Sequence, residues 1–201
     1  MTNDRLLMVF VRNPVLGKVK TRLAQTMGNE RALEIYLLLL EHTLQIASKA
    51  DCDKAVYYSD YIESEEDWVA KHFKQCTQTG KDLGERMANA FQTAFASGYK
   101  KVVIIGSDCL ELHARDINEA FEKLQYTDAV VGPAKDGGYY LLGLNAFHPA
   151  FFQNKKWSTE NVFLDTLIDL QNLKLSFDVL PTLSDIDEEK DLEFHKSVFN
   201  Q

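Results

Sequence analysis

The chain has 201 residues, 22 Lys and Arg against 30 Asp and Glu, a formal net charge of −8 and 45% hydrophobic residues. That is one domain's worth of chain with a substantial core, and a charged fraction of 26% with only 4 prolines excludes the disordered and collagen-like classes. An acidic balance, with a pI near 5.1, argues against a nucleic-acid partner, which needs a basic face to neutralise phosphates.

Short apolar runs of β-type residues predict strands at Leu6–Val11, Ala55–Tyr58, Val102–Ile105, Ala129–Val131 and Tyr139–Leu144. Helical periodicity fills the intervals. Asn29 is placed to cap a nearly encircled, hence buried, helix running to about Lys49. Asp82 is placed to cap another, in which Leu83, Met87, Ala90, Phe91, Ala94 and Phe95 share a face, and Gly98 stops it. Further helices are predicted at Ser64–Phe73, Ala114–Leu124, Thr159–Leu173 and Glu188–Val198. Strands alternating with helices imply an α/β fold, a mainly parallel central sheet with helices on both faces, in a single domain over residues 1–201. Ligands of such sheets bind outside the carboxyl ends of the strands, which directs attention to the loops there.

Cys52, Cys76 and Cys109 are widely spaced, with no Cys-x-x-Cys pair and no histidine at zinc spacing. Free thiols in a reducing compartment follow, and with them a cytoplasmic location. The segment Met1–Arg5 carries an acid and leads into an apolar run too short for a signal peptide or a membrane span.

The first strand runs into Arg12-Asn-Pro-Val-Leu-Gly17-Lys18-Val-Lys20-Thr21-Arg22. Between Asp4 and Glu30 lie 5 cations and no acid, so this stretch is +5 while the remainder of the chain is −13. Gly17 lets the backbone turn tightly against phosphate oxygens, which Arg22 can grip with a planar fork and Lys20 with a point charge. A solvated basic turn is the alternative. The loop is not a Walker A loop, because Val19 follows Gly17-Lys18, nor a Rossmann fingerprint, because it has a single glycine.

After the strand Val102–Ile105 comes Gly106-Ser-Asp108-Cys-Leu110. A carboxylate there suits Mg²⁺ or Mn²⁺, hard ions that share their coordination with phosphates; its plainer role is an Asx turn or helix cap. Asp185 and Asp187 alternate, so in an extended segment they face one way and either can complete a metal site with Asp108. Asp187 is equally placed to cap the last helix. Asp136-Gly137-Gly138 fits a tight turn or a floor for a sugar ring, and Gly80 and Arg86 flank a helix start able to receive an anion. Trp157 is placed to stack an acceptor ring or simply to pack, and His42, His72, His113, His148 and His195 have no evident catalytic partner.

The segments Asn13–Leu23, Gly80–Met87, Gly106–Leu110, Asp136–Tyr140 and Asp185–Asp187 together resemble a bacterial family of glycosyltransferase-like proteins, once catalogued as a domain of unknown function, some of whose members are named for arsenosugar biosynthesis. That family belongs to the nucleotide-diphospho-sugar transferase superfamily, with the GT-A fold. The resemblance implies that Arg12, Gly17, Lys18, Lys20 and Arg22 meet nucleotide phosphates and that Gly80, Asp82 and Arg86 lie near the nucleotide. It implies that Asp108, with Asp185 or Asp187, binds the metal, and that Asp136, Gly137 and Gly138 lie near the sugar or acceptor, Asp136 as a base. Leu110 stands where the family usually has proline, and Asp108-Cys-Leu110 replaces the Asp-x-Asp of many glycosyltransferases.

The expected chemistry is metal-assisted transfer from a nucleoside diphosphate sugar to a small-molecule acceptor, with Lys20 and Arg22 stabilising the leaving diphosphate. The same parts would serve a nucleotidyltransferase acting on a nucleoside triphosphate, or a catalytically silent nucleotide-binding domain. In either enzyme a cationic loop is expected to face the aspartates across a nucleotide-sized gap.

Overall fold

Alternation decides which way each strand faces. In β1 (Arg5–Val11), Leu7, Val9 and Val11 join one core cluster while Leu6 and Met8 join another, and all five are buried, as a strand covered on both faces requires. The structure, a computed structural model, describes residues 4–62, 66–153 and 155–195. Six more strands complete a seven-stranded sheet: β2 (Asp53–Tyr58), β3 (Lys74–Thr77), β4 (Lys101–Ile105), β5 (Ala129–Pro133), β6 (Tyr139–Leu144) and β7 (Phe177–Val179). Their order is β3-β2-β1-β4-β6-β5-β7. All pairs are parallel except those of β6, which runs antiparallel to both β4 and β5.

The helices are α1 (Thr21–Met27), α2 (Asn29–Ser48), α3 (Glu66–Ala70), α4 (Leu83–Ala96), α5 (Ala114–Lys123), α6 (Val162–Asn172) and α7 (Glu189–Leu192). Tyr36, Leu40 and Ala47 of α2 with Ile117 and Phe121 of α5 cover one face of the sheet. Met87 and Phe91 of α4, Leu170 of α6 and the 3₁₀ turn Pro149–Phe152 cover the other. The expected α/β architecture is therefore present. Among the described residues no helix is long and apolar enough to cross a membrane.

Several boundaries differ from expectation for local reasons. β3 reads Lys-Gln-Cys-Thr and β7 Phe-Asp-Val, edge strands without a fully buried residue and so without an apolar run to announce them. α1 was not expected; it is a seven-residue helix separated from α2 only by Gly28, which caps α2 in place of Asn29. Asp82 does cap α4, accepting a hydrogen bond from Glu85 N at 2.9 Å, and Gly98 follows its last turn. The segment expected as Ser64–Phe73 is helical only over Glu66–Ala70, with Ser64 outside the described residues. The helix expected from Thr159 begins at Val162. The last helix stops at Leu192 and continues as the 3₁₀ turn Glu193–His195, with residues 196–198 outside the described residues.

Candidate active site

The loop that follows β1 is anchored before it turns. Asn13 is buried, and its amide donates to Tyr61 O at 2.9 Å while its oxygen accepts from Asp60 N at 3.1 Å, joining this loop to the one after β2. Gly17 adopts φ +74, the left-handed conformation for which a glycine was expected. Val19 and Leu23 are buried on either side of Lys20, Leu23 against Ile35, Ile186 and Leu192. Lys20 itself takes φ 46, ψ 46 at the start of α1, a costly geometry for a side-chain-bearing residue. With its neighbours fixed, its side chain turns inward and is 5% exposed, whereas that of Arg22 is 65% exposed.

The second wall is the loop after β4. Tyr36 of α2 accepts from Arg12 N at 2.8 Å, donates to Arg12 O at 2.9 Å and lies 3.5 Å from the hydroxyl of buried Ser107. One phenol thus ties the β1 loop to the Asp108 loop, and burial pushes its pKa far above the usual value. The third wall is residues 183–187. Leu183 N donates to Pro133 O at 3.1 Å, Ile186 N to Asp108 O at 2.9 Å, and Ser184 N to the Glu111 carboxylate at 2.8 Å. Fully buried Ile186 fixes this strap, with Asp185 and Asp187 on either side of it in sequence.

These walls bring Lys20, Asp108 and Asp187 into contact. Lys20 Nζ lies 2.6 Å from Asp108 Oδ1 and 3.1 Å from Asp187 Oδ1, and Arg22 stands 3.7 Å from the other oxygen of Asp187. The expected gap between the cationic loop and the aspartates is closed by Lys20. Burial disfavours its charge, but the two carboxylates outweigh burial and hold its pKa above normal. Asp185 lies beside them, and burial, then Asp108 and Asp136, push its pKa up to about 7 against the pull of Lys20. Asp187 does not cap the last helix: Glu188 takes that position, and the Asp191 carboxylate accepts from Asp187 N at 3.0 Å and Glu188 N at 2.8 Å. The Asp187 side chain is thereby left to the site.

The donor set suits a divalent ion. Asp108 and Asp187 are oxygen donors, 45% and 37% exposed, that already converge on one cation. Among the described residues no group of three or more His, Cys, Asp or Glu is arranged to hold a metal. Mg²⁺ needs no such cage, since it is commonly held by one or two carboxylates plus substrate phosphates.

The remaining expected residues lie in more self-contained surroundings. Asp136 is exposed and accepts from Gly138 N at 2.8 Å, closing an Asx turn beside Asp185. Gly137, at φ +89, packs so closely on the Glu160 backbone that a Cβ would overlap its carbonyl. Arg86 reaches back to Gly80 O at 3.3 Å and Gln78 Oε1 at 3.4 Å, and Asp82 is occupied as a cap. Trp157 packs: its indole covers Gly84 at the start of α4, stacks near Phe152 and carries Lys155 Nζ 5.3 Å above it. His42 bonds to Leu112 O at 3.0 Å. Burial pushes the Cys109 thiol far above its usual range, which disqualifies it as a nucleophile despite its place beside Asp108. Tyr36, Glu111 and Asn13 were not singled out from sequence; the signal for Tyr36 is a polar group inside an otherwise apolar helical run.

With its mostly parallel seven-stranded sheet flanked by helices, the chain has a nucleotide-diphospho-sugar transferase-like fold, shared with solved structures. The structure is similar to that of a provisionally named nucleotide-diphospho-sugar transferase from Desulfovibrio desulfuricans G20, with a TM-score of 0.88 and 31% identity over 98% of this chain and 88% of that one. The model of a bacterial family described as "Uncharacterized protein conserved in bacteria (DUF2064)" matches residues 42–159, and the chain belongs to that family. Fold likeness extends to a CMP:2-keto-3-deoxy-manno-octonic acid synthetase complexed with CTP, at TM-score 0.58 and 10% identity over 98% of each chain. It also extends to glucosyl-3-phosphoglycerate synthase from Mycobacterium tuberculosis, in complex with Mn²⁺, UDP and glucosyl-3-phosphoglycerate, at TM-score 0.56 and 12% identity over 98% of this chain and 77% of that one. No curated protein matches the chain.

Proposed function

We propose that this chain is a metal-dependent glycosyltransferase that draws on a nucleoside diphosphate sugar. The observation that carries the proposal is the convergence of Asp108 and Asp187 on Lys20 at the carboxyl end of the sheet, beside the left-handed Gly17 turn. Mg²⁺ or Mn²⁺ held by Asp108 and Asp187 would supply Lewis-acid neutralisation of the diphosphate. The chain's own groups do the rest. Gly17 lets backbone approach the phosphates; Lys20 and Arg22 stabilise charge on the leaving diphosphate, with Arg12 and Lys18 adding to the local positive potential. Gly80, Asp82 and Arg86 border the nucleotide. Asp136, with Gly137 and Gly138, borders the sugar and acceptor, and its carboxylate is the acceptor's base.

The nucleotidyl-transfer reading is favoured by one feature, the single carboxylate of Asp108-Cys109-Leu110 in place of Asp-x-Asp. Thermal-shift measurements with UDP-, GDP- and ADP-sugars and with free triphosphates, each with and without Mn²⁺ or Mg²⁺, separate the two. Stabilisation by a sugar nucleotide that requires metal supports the glycosyltransferase; a response to triphosphates alone overturns it. Binding without turnover of any donor assigns a silent nucleotide-binding domain.

A further inference from the structure

The cations of the β1 loop are not equivalent. Arg12 and Lys18 are exposed and Arg22 is largely so, whereas Lys20 is 5% exposed with its ammonium in contact with both carboxylates proposed to take the metal. Its placement is built: buried Val19 and Leu23 hold the chain on either side, and the left-handed backbone aims the side chain inward. A divalent ion held by Asp108 and Asp187 would need the position that this ammonium fills, and two cations cannot share it without strong repulsion.

We propose that Lys20 is a built-in counter-cation that competes with divalent metal for Asp108 and Asp187 until phosphate oxygens draw it away. The inference rests on the reading of these two carboxylates as the metal's ligands. Its consequence is that metal alone binds weakly and that metal and phosphate favour each other's binding. Phosphate gives the displaced ammonium a new partner, and the vacated carboxylates take the ion; by linkage the preference runs equally in both directions. Free metal then does not occupy the site ahead of the substrate.

The test is Mn²⁺ binding by titration calorimetry, with free Mn²⁺ followed by electron paramagnetic resonance, on the full chain with and without saturating inorganic pyrophosphate. Lys20→Met is expected to bind Mn²⁺ alone at least about tenfold more tightly than the wild type, because a positive charge has left the position the ion needs. Lys20→Arg, which keeps the charge, stays within about twofold of wild type. Pyrophosphate raises Mn²⁺ affinity more in the wild type than in Lys20→Met. A Lys20→Met protein that is folded by circular dichroism and binds Mn²⁺ no more tightly than the wild type overturns the proposal. Should that variant not fold, the ¹⁵N resonance of the wild-type Lys20 ammonium decides: a resonance that moves with Mg²⁺ and pyrophosphate together and not with Mg²⁺ alone supports it, and one unmoved by the pair overturns it. Pyrophosphate without effect in any variant overturns the phosphate-site reading instead, and the competition then stands or falls on the metal-only comparison.

Discussion

The two ends of the sheet treat carboxylates differently. At the amino ends of the strands two acids have donors of their own: Asp128 accepts from Ser176 N at 2.9 Å, Ser176 Oγ at 2.7 Å and Asn145 Nδ2 at 3.3 Å, and Asp53 accepts from Tyr99 at 2.9 Å. At the carboxyl ends Asp108 and Asp187 share the Lys20 ammonium, with exposed Arg22 3.7 Å from Asp187, and Asp185 lies half-buried beside them with its pKa raised to about 7. Satisfied charges fasten strands together; charges left short of partners are available to a ligand. The same residue type thus has a structural role at one end and, on the proposed function, a chemical one at the other.

The largest effect is expected from Asp108→Asn. If the carboxyl end carries the chemistry, turnover falls by about 10²-fold or more, the scale of losing a charge-stabilising group at a reacting centre. A turnover assay on whichever donor the thermal-shift screen identifies makes the measurement, and activity surviving within a few-fold would erase the distinction between the ends. Next comes Gly137→Ala, whose new methyl group meets the Glu160 carbonyl at a left-handed position. Urea unfolding should show a loss of about 2–3 kcal/mol, as for overpacking against backbone that cannot yield. Asp128→Ala removes three hydrogen bonds at a half-exposed position and is expected to cost about 1 kcal/mol in the same assay.

The smallest effect sharpens the contrast through its sign. Hydrogen bonds from Ser176 hold the Asp128 pKa below the usual carboxylate value, so its contribution is present above about pH 4, the unfolded value, and is lost as pH falls through the folded one. The Asp185 pKa is raised to about 7, so the folded state holds the extra proton and stability declines as pH climbs from about 4 toward 7. Melting curves of metal-free protein across this range should show that decline flattened in Asp185→Asn. A decline that persists unchanged would place its origin elsewhere.

Much of this contrast is legible in the amino-acid sequence. Apolar runs mark the five covered strands, and excess positive charge after one strand and an aspartate after another mark two walls of the site. Legibility fails where structure is made by partners rather than by pattern. β3 and β7 have no apolar signature because each is an edge strand. Whether Asp187 caps the last helix turns on Asp191, whose carboxylate takes the backbone donors. Lys20 resembles its neighbours Lys18 and Arg22, because nothing in the sequence announces a left-handed backbone at a lysine. The Gly80–Arg86 segment shows the converse: its polar groups, as suggestive in sequence as those of the β1 loop, bond largely to one another.

The ion pair between Lys20 and Asp187 joins residues separated by 167 positions. A contact of such range forms late, because the entropy of closing the loop must be met before the contact returns anything. On a ribosome the first wall of the site is made long before the third, and Lys20 has both of its carboxylates only after the last strap has emerged. The joint contact of Lys20 with Asp108 and Asp187 is therefore a report that all three walls have come together.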